Sequence, residues 1–480
     1  MASPRRERPA AFSYAIALGL AAVVVLAVGL RAAAAEAADD ALFRAIYQEL
    51  VEINTTDSSG DTVRAAEAMA AHLRAAGLPA QDIRVIASAP RKGNLVARLR
   101  GTGARRPLLL LAHLDVVEAK REDWEFDPFK LIEVNGYFRG RGTIDDKAMA
   151  AIFTANLIRY FREGFVGDRD LILALTADEE ISSSPDNGVR FLLAHHRDLI
   201  DAELAINEGG GGALKGGTPF RTNVQLAEKV NQTYQLEVKD PGGHSSIPRR
   251  ENAIYRLAEG LRRLAEFEFP PRLNAVTRAY FERLATIEDT EIADAIKALL
   301  AGRTDRDALA PLTARPVYNA QLRTTCVATM LDAGHAENAL PQTARATVNC
   351  RIMPDEPVAA VEQTLARILD DPRIAISAKG PAVASPPSPI NAELMQTVAR
   401  ISSELWPGVP LIPTMSTGYT DSRWLRNGGI PAYGVSGLFS DPGNNGVHGL
   451  NEQIRISDLY VGKEFLYRLV KALAGTKPAN

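Results

Sequence analysis

A histidine and a group of carboxylates in this 480-residue chain follow short apolar runs, as ligands and acid–base groups do at strand ends, and further carboxylates and a second histidine stand in glycine-containing loops. His113 and Asp115 come directly after the continuous run Leu108–Leu111. Asp178-Glu179-Glu180 follows Leu171–Thr176, and Glu208 follows Leu204–Ile206. The loop from Gly140 to Lys147 adds Asp145 and Asp146 just before a helix, and His448 lies in the glycine-rich stretch Gly446–Glu452. Imidazole and carboxylate donors with few thiolates suit zinc, and also cobalt or manganese. Three or more carboxylates around two histidines carry too much negative charge for one divalent ion. Two ions about 3.5–4 Å apart, bridged by a carboxylate, would balance it. Singly, a strand-end histidine is more often structural and a Glu-Glu pair more often a solvated cap. Their common location at strand ends is what points to chemistry.

The elements that must position these residues are also visible. Leu108–Leu111, Leu171–Thr176 and Leu204–Ile206 have the unbroken apolar character of strands buried on both faces. Helices are expected at Asp40–Ile53, Thr62–Ala76 and Lys147–Phe161. Strands alternating with helices indicate an α/β fold with a mostly parallel sheet, in which ligands bind beyond the carboxyl ends of the strands. From Tyr234 the texture changes: a strand at Tyr234–Val238, an amphipathic helix at Asn252–Phe267, and a charged helical stretch between Phe269 and Pro316. Strands at Gln321–Thr329 and Thr343–Arg351, a helix at Val358–Leu369 and a strand at Ile374–Ala378 follow. The expected architecture is a three-layer α/β sandwich built from residues 40–231 and 379–480. It carries an inserted α+β lid or dimerisation domain at residues 232–378, with the Pro-rich stretch Pro381–Pro389 marking the return.

Composition narrows the function classes. A net charge of −3, with no basic run, gives no footprint for nucleic acid. Arg5, Arg6 and Arg8 precede an apolar run from Phe12 to Leu30, and Ala35-Glu36-Ala37 has the form of a cleavage site. Residues 1–37 are therefore a signal peptide or an uncleaved membrane anchor. Either sends the folded part out of the cytoplasm, to a periplasmic, secreted or membrane-tethered location. The two cysteines, Cys326 and Cys350, leave two readings open, a disulfide between neighbouring strands or two small core residues.

The order and spacing of several motifs resemble a known family. They are His113-x-Asp115, Gly140-Arg141-Gly142-x-x-Asp145-Asp146-Lys147, Glu179-Glu180, Glu208 and His448, with Gly242-Gly243-His244-Ser245-Ser246-x-Pro248 and Asn338-Ala339-Leu340-Pro341. Together they are similar to the zinc metallopeptidases that include glutamate carboxypeptidase, carboxypeptidase S, aminoacylase, acetylornithine deacetylase and succinyl-diaminopimelate desuccinylase. The resemblance spans residues 40 to 475 and implies two Zn2+, with Co2+ or Mn2+ as alternatives. It assigns His113 and Glu208 to one ion, Glu180 and His448 to the other, and Asp145 to both. Asp115 would fix the His113 ring through its second nitrogen, and Glu179 would be the general base. His244 would donate to the oxyanion, often from a partner subunit; its other reading is a turn residue leading a helix. Arg351 would bind the substrate carboxylate, or else be a surface strand arginine. Asn338 and the loop Gly418-Tyr419-Thr420 would bind substrate, with Tyr419 replacing the family's usual small residue. The implied activity is metal-dependent hydrolysis of a peptide or amide bond beside a free carboxylate, of carboxypeptidase or dipeptidase type. An N-acyl-amino-acid amidohydrolase is the alternative, and an inactive binding module on the same fold a distant one. Substrates would be small peptides or N-acyl amino acids. A homodimer would form through the lid, which the helical insertion is expected to lengthen.

Overall fold

Alternation along the buried strands decides the layering. In Leu108–His113 all six residues are buried, with Leu108, Leu110 and Ala112 in one apolar cluster and Leu109 and Leu111 in another. Leu171–Thr176 divides in the same way, Leu171, Leu173 and Leu175 on one side and Ile172 and Ala174 on the other. Period-two side chains on a sheet covered on both faces give this result. One face packs on the helices Thr62–Ala75, Lys147–Arg162, Ala392–Leu405 and Ile456–Leu473, with the helix at residues 36–52. The other packs on Gly188–His195 and Ser422–Asn427. The computed structural model describes residues 36–181, 184–441 and 445–475, so nearly all of the proposed signal or anchor segment lies outside them. No helix among the described residues is long and apolar enough to cross a membrane.

The large sheet has ten strands. Leu108–His113 sits near its middle, parallel to Leu171–Thr176 on one side and to Leu204–Asn207 on the other. Ala432–Gly434 continues the parallel run. Antiparallel pairs close one edge, where Ile83–Ala89 pairs with Lys92–Leu99 and the latter with Leu171–Thr176. Toward the other edge Gly211–Lys215 pairs antiparallel with Thr218–Glu228, which also takes Leu411–Ser416 in parallel. The sequence reading has no strand between Ile206 and Tyr234. Glycines hide this hairpin: Gly209, Gly210 and Gly211 all have positive φ, and a Cβ on Gly210 would lie 2.3 Å from the Gly434 carbonyl oxygen.

The second sheet has four antiparallel strands, ordered Thr325–Ala333, Thr343–Ile352, Val230–Lys239, Ile374–Lys379, with the helices Ala253–Glu266 and Val358–Leu369 on one face. Its edge strand begins at Thr325, whereas the sequence suggests Gln321. Gln321 and Leu322 instead end the helix Pro316–Leu322, whose proline occupies the first turn, where a missing N–H costs nothing. Cys326 lies directly opposite Cys350, and the two form a disulfide.

The four helices between Ala275 and Leu322 do not extend the second sheet. Their core, including Phe281, Ile296 and Leu309, closes over Ile412 of the large sheet. Gln321 Nε2 also donates to the Met415 carbonyl at 2.7 Å. The chain therefore crosses between the two sheets four times: at Lys229, between Glu266 and Ala275, between Leu322 and Thr325, and beyond Lys379. Lys229 Nζ donates to the Arg323 carbonyl (2.6 Å), Arg272 N–H to the Leu322 carbonyl (2.8 Å), and Gln232 Nε2 to the Gly380 carbonyl (3.2 Å).

Candidate metal centre

Residues separated by more than three hundred positions meet beyond the carboxyl ends of the central strands. His113 is the last residue of its strand and is buried. Its Nε2 is 3.0 Å from Asp145 Oδ1 and 3.8 Å from Glu208 Oε1. His448 Nε2 lies 3.0 Å from Asp145 Oδ2 and 3.0 Å from Glu180. The donors fall into two sets, His113–Asp145–Glu208 and Asp145–Glu180–His448, each within 4.8 Å, with Asp145 common to both. One carboxylate thus faces both imidazoles, one oxygen to each, as a ligand joining two cations must.

Local structure holds each donor in place. Asp145 and Asp146 lead the helix Lys147–Arg162 and are joined by a cis peptide bond. The loop before them is gripped by Glu452, which is fully buried. Its carboxylate accepts from the backbone N–H groups of Gly142 (3.0 Å), Ile144 (2.7 Å) and Asp145 (3.2 Å) and from Arg141 Nη1 (2.9 Å). Lys147 is buried as well, donating to the Ile53 carbonyl at 2.7 Å, and burial brings its pKa down to about 7. His448 sits at φ +57° in its loop, which turns its ring toward Asp145 and Glu180.

Asp115 meets the second nitrogen of His113 chiefly through its backbone carbonyl. His113 Nδ1 is 2.9 Å from the Asp115 carbonyl oxygen and 3.6 Å from its carboxylate. The backbone carbonyl is therefore the nearer partner that leaves Nε2 directed at Asp145. The Asp115 carboxylate instead accepts from the N–H groups of Glu179 (3.2 Å) and Glu180 (3.0 Å). It holds the turn that carries the general-base candidate and a ligand candidate.

The electrostatics fit a cation site. Burial pushes the carboxyls of Glu179, Glu208 and Asp146 well above the usual range, and that of Glu180 upward. Asp145 is the exception, where hydrogen bonds from His113 and His448 outweigh burial and hold it low. Hydrogen bonds to Asp145 and Glu180 raise His448 to about 10. Crowded carboxylates in low dielectric disfavour their charged forms until positive charge is supplied. The Oε1 atom of Glu179 is buried with no hydrogen-bond partner, an acceptor left open beside the ligand sets. The donor types suit divalent zinc, cobalt or manganese.

Other expected site residues lie apart from this cluster. His244 and Asn338 are brought together by the short pairing of Gly243–His244 with Ala339–Leu340, where Ser245 N–H donates to the Asn338 carbonyl at 3.0 Å. Both are exposed, and among the described residues no hydrogen bond or ion pair links either to the cluster. Arg351 is on the strand Thr343–Ile352, its Nε donating to Asn349 (3.1 Å), its Nη1 buried and unpartnered, and its guanidinium 5.6 Å from the Tyr419 ring centre. Gly418 N–H donates to Ser416 (3.1 Å). Thr420 is buried with its hydroxyl donating to Glu228, so it serves the packed wall behind the loop. Sequence reasoning gave no role to Glu452; the signal was an acid in the His448 loop that needs the arginine of Gly140-Arg141-Gly142.

The chain is similar to known proteins over most of its length. The model of the peptidase family M20/M25/M40 matches residues 109–472. The chain is 31% identical over 382 residues to the human N-fatty-acyl-amino acid synthase/hydrolase PM20D1, covering 76% of this chain and 74% of that protein. It is 27% identical over 381 residues to a probable carboxypeptidase S-like 2 of Dictyostelium discoideum, covering 76% and 71%. In fold it is similar to an M20 family metallo-carboxypeptidase from Sulfolobus solfataricus, with a TM-score of 0.68 at 18% identity over 90% of this chain and 99% of that one. With the family model spanning most of its length, the chain belongs to peptidase family M20/M25/M40.

Proposed function

We propose that this metal-dependent hydrolase cleaves the amide bond on the nitrogen of an amino acid whose carboxylate is free, with dipeptides and short peptides as its leading substrates. Metal-dependent peptide or amide hydrolysis is the activity of its family. The observation that carries the proposal is the pair of donor sets joined through Asp145 with the partnerless Glu179 oxygen beside them. His113 and Glu208 would hold one cation, Glu180 and His448 the other, and Asp145 both, with Zn2+ as the proposed metal. When bound, such cations supply Lewis acidity, acidifying water and polarising the scissile carbonyl.

The chain's own groups supply the rest. Glu179 takes the proton of the attacking water and passes it to the leaving nitrogen; burial, which pushes its carboxyl up, suits it to hold that proton between the two transfers. Asp115 keeps the Glu179 backbone in position. Arg351 would receive the substrate carboxylate, since its buried Nη1 lacks a partner and a guanidinium fork matches a carboxylate. A panel of dipeptides and N-acyl amino acids, each free and C-terminally amidated, tests this reading. Equal rates on free and amidated substrates would remove the carboxylate requirement.

A specific observation favours N-acyl amino acids as a second reading. A cavity of about 220 Å³ beside Asp145, Asp146 and Glu208 has Met149, Leu438, Val447 and Ile454 on its wall together with Ser436 and Ser440, and its apolar part offers room for an acyl or apolar aminoacyl group. The human relative described above is named as an N-fatty-acyl-amino acid synthase/hydrolase. Export from the cytoplasm belongs to the same proposal and is supported by the Cys326–Cys350 disulfide. So does a homodimer through the second sheet, supported by exposed Val327, Met330 and Leu331 on its edge strand. Fractionation of the native host and sedimentation of the purified protein test these two points.

A further inference from the structure

Five arginines are buried among the described residues, and four have a carboxylate partner. Arg141 pairs with Glu452 (2.9 Å), Arg169 with Glu203 (3.4 Å), Arg323 with Glu268 (2.7 Å) and Arg426 with Glu228 (2.6 Å). Arg423, only 5% exposed, has none: its guanidinium makes no ion pair or hydrogen bond among the described residues, and its Nε is buried without a partner. A buried cation is costly unless paired. Two aromatic faces offset part of that cost, Tyr419 at 4.0 Å and Trp424 at 5.1 Å from the guanidinium carbon. An aromatic face attracts the charge but accepts no hydrogen bond in the guanidinium plane, so the N–H donors stay unmatched. The Trp424 indole N–H is also buried and unpartnered.

Arg423 and Trp424 line a cavity of about 270 Å³ between the four-stranded sheet and the helices Gly188–His195 and Ser422–Asn427. Asn231 and Gln232 of the four-stranded sheet form the opposite wall, and Arg190 and Lys379 are exposed at its rim. Neither rim cation makes an ion pair among the described residues; Lys379 only donates to Thr347 (3.3 Å), and Arg190 lies over the Trp424 ring at 5.7 Å. No carboxylate lines the cavity, and it shares no residue with the one beside Asp145 and Glu208. Three cations and amide side chains, with no acid on the wall and the buried Asp421 carboxyl acting on Arg423 only through space, describe a receptor for a small anion.

We propose that this cavity is a second ligand site, outside both metal-donor sets and across the Tyr419 ring from Arg351, that binds a small oxyanion, a carboxylate or a phosphate, with Arg423 as its buried anchor and Arg190 and Lys379 at its mouth. The planar fork of a guanidinium recognises both anions. The ligand would touch both bodies, Asn231 and Gln232 on the four-stranded sheet and Arg423 on the helix Ser422–Asn427 that packs on the large sheet.

The test is saturable binding of acetate and of inorganic phosphate to the metal-loaded protein, read by thermal shift and calorimetry with chloride holding ionic strength constant. We expect R423Q to weaken binding by about ten-fold or more. The rim variant R190Q/K379Q, which changes only exposed residues, should weaken it in the same direction and decides the matter if R423Q fails to fold. Tighter binding of acetate would mark a carboxylate ligand, and tighter binding of phosphate a phosphate; either supports the site. Binding unchanged in both variants would put the anion on the cations, binding lost only in R351M would put it at Arg351, and no saturable binding would leave the cavity without this role. Each of those three results overturns the proposal.

Discussion

Glu452 touches no donor side chain, yet it collects three backbone N–H groups and Arg141 at the point where the chain turns into Asp145. Replacing it with alanine leaves Arg141 buried and unpaired and frees the loop. The expected cost is about 3–5 kcal/mol in denaturant unfolding, with a smaller loss for Glu452→Gln, which keeps an acceptor. Cation affinity should fall in parallel, since the joining ligand loses its support. The donors and the base separate by experiment. Glu179→Gln should retain its full cation complement while kcat drops by at least about 10²–10⁴-fold. His113→Ala should weaken cation binding itself, read by elemental analysis after dialysis. Wild-type turnover in Glu179→Gln would exclude it as the base.

Elements differ in how much they reveal beforehand. The disulfide between Thr325–Ala333 and Thr343–Ile352 closes a loop with a sequence separation of 24, so C326A/C350A should lose about 2–4 kcal/mol, read by equilibrium unfolding. Ile296→Ala should cost about 2–5 kcal/mol, because Ile296 is fully buried where the inserted helices meet the large sheet. The central strands were legible because unbroken apolar runs leave few alternatives, and His113, Glu180 and Glu208 because they follow those runs; Asp145 and His448 stand in loops and were legible only through the motif resemblance. The hairpin at 211–228 was not, since its glycines look like loop while serving close backbone approach at Gly434. Helical periodicity announced the inserted helices but not the body they cover, because an apolar stripe does not name its partner. The hold of the Asp115 carboxylate on two backbone amides was illegible for a related reason: a residue type states what a side chain is able to accept, and only folding decides which amides reach it.

For the whole molecule, the cluster links stability to cations and pH together. Without cations, Glu179, Glu180, Glu208, Asp146, His113 and His448 have raised folded pKa values, and only Asp145 among these residues is lowered. Above the ordinary carboxylate value of 4.5, the native state then holds more protons than the unfolded chain, so stability of the chelated protein falls as pH rises. With cations bound the donors must be deprotonated, and stability falls as pH drops. Thermal melts from pH 5 to 8 with and without chelator should therefore slope in opposite senses, and equal slopes would contradict cation binding at this cluster. The four crossings between the sheets set the character of larger motions. A flap joined by two strands swings about them, but this one is stitched at four places and cross-braced by Lys229, Arg272 and Gln232. Each added seam and brace resists torsion, so the junction should be stiffer than one on two strands, and proteolysis within 266–275 or 322–325 should loosen it without releasing either sheet.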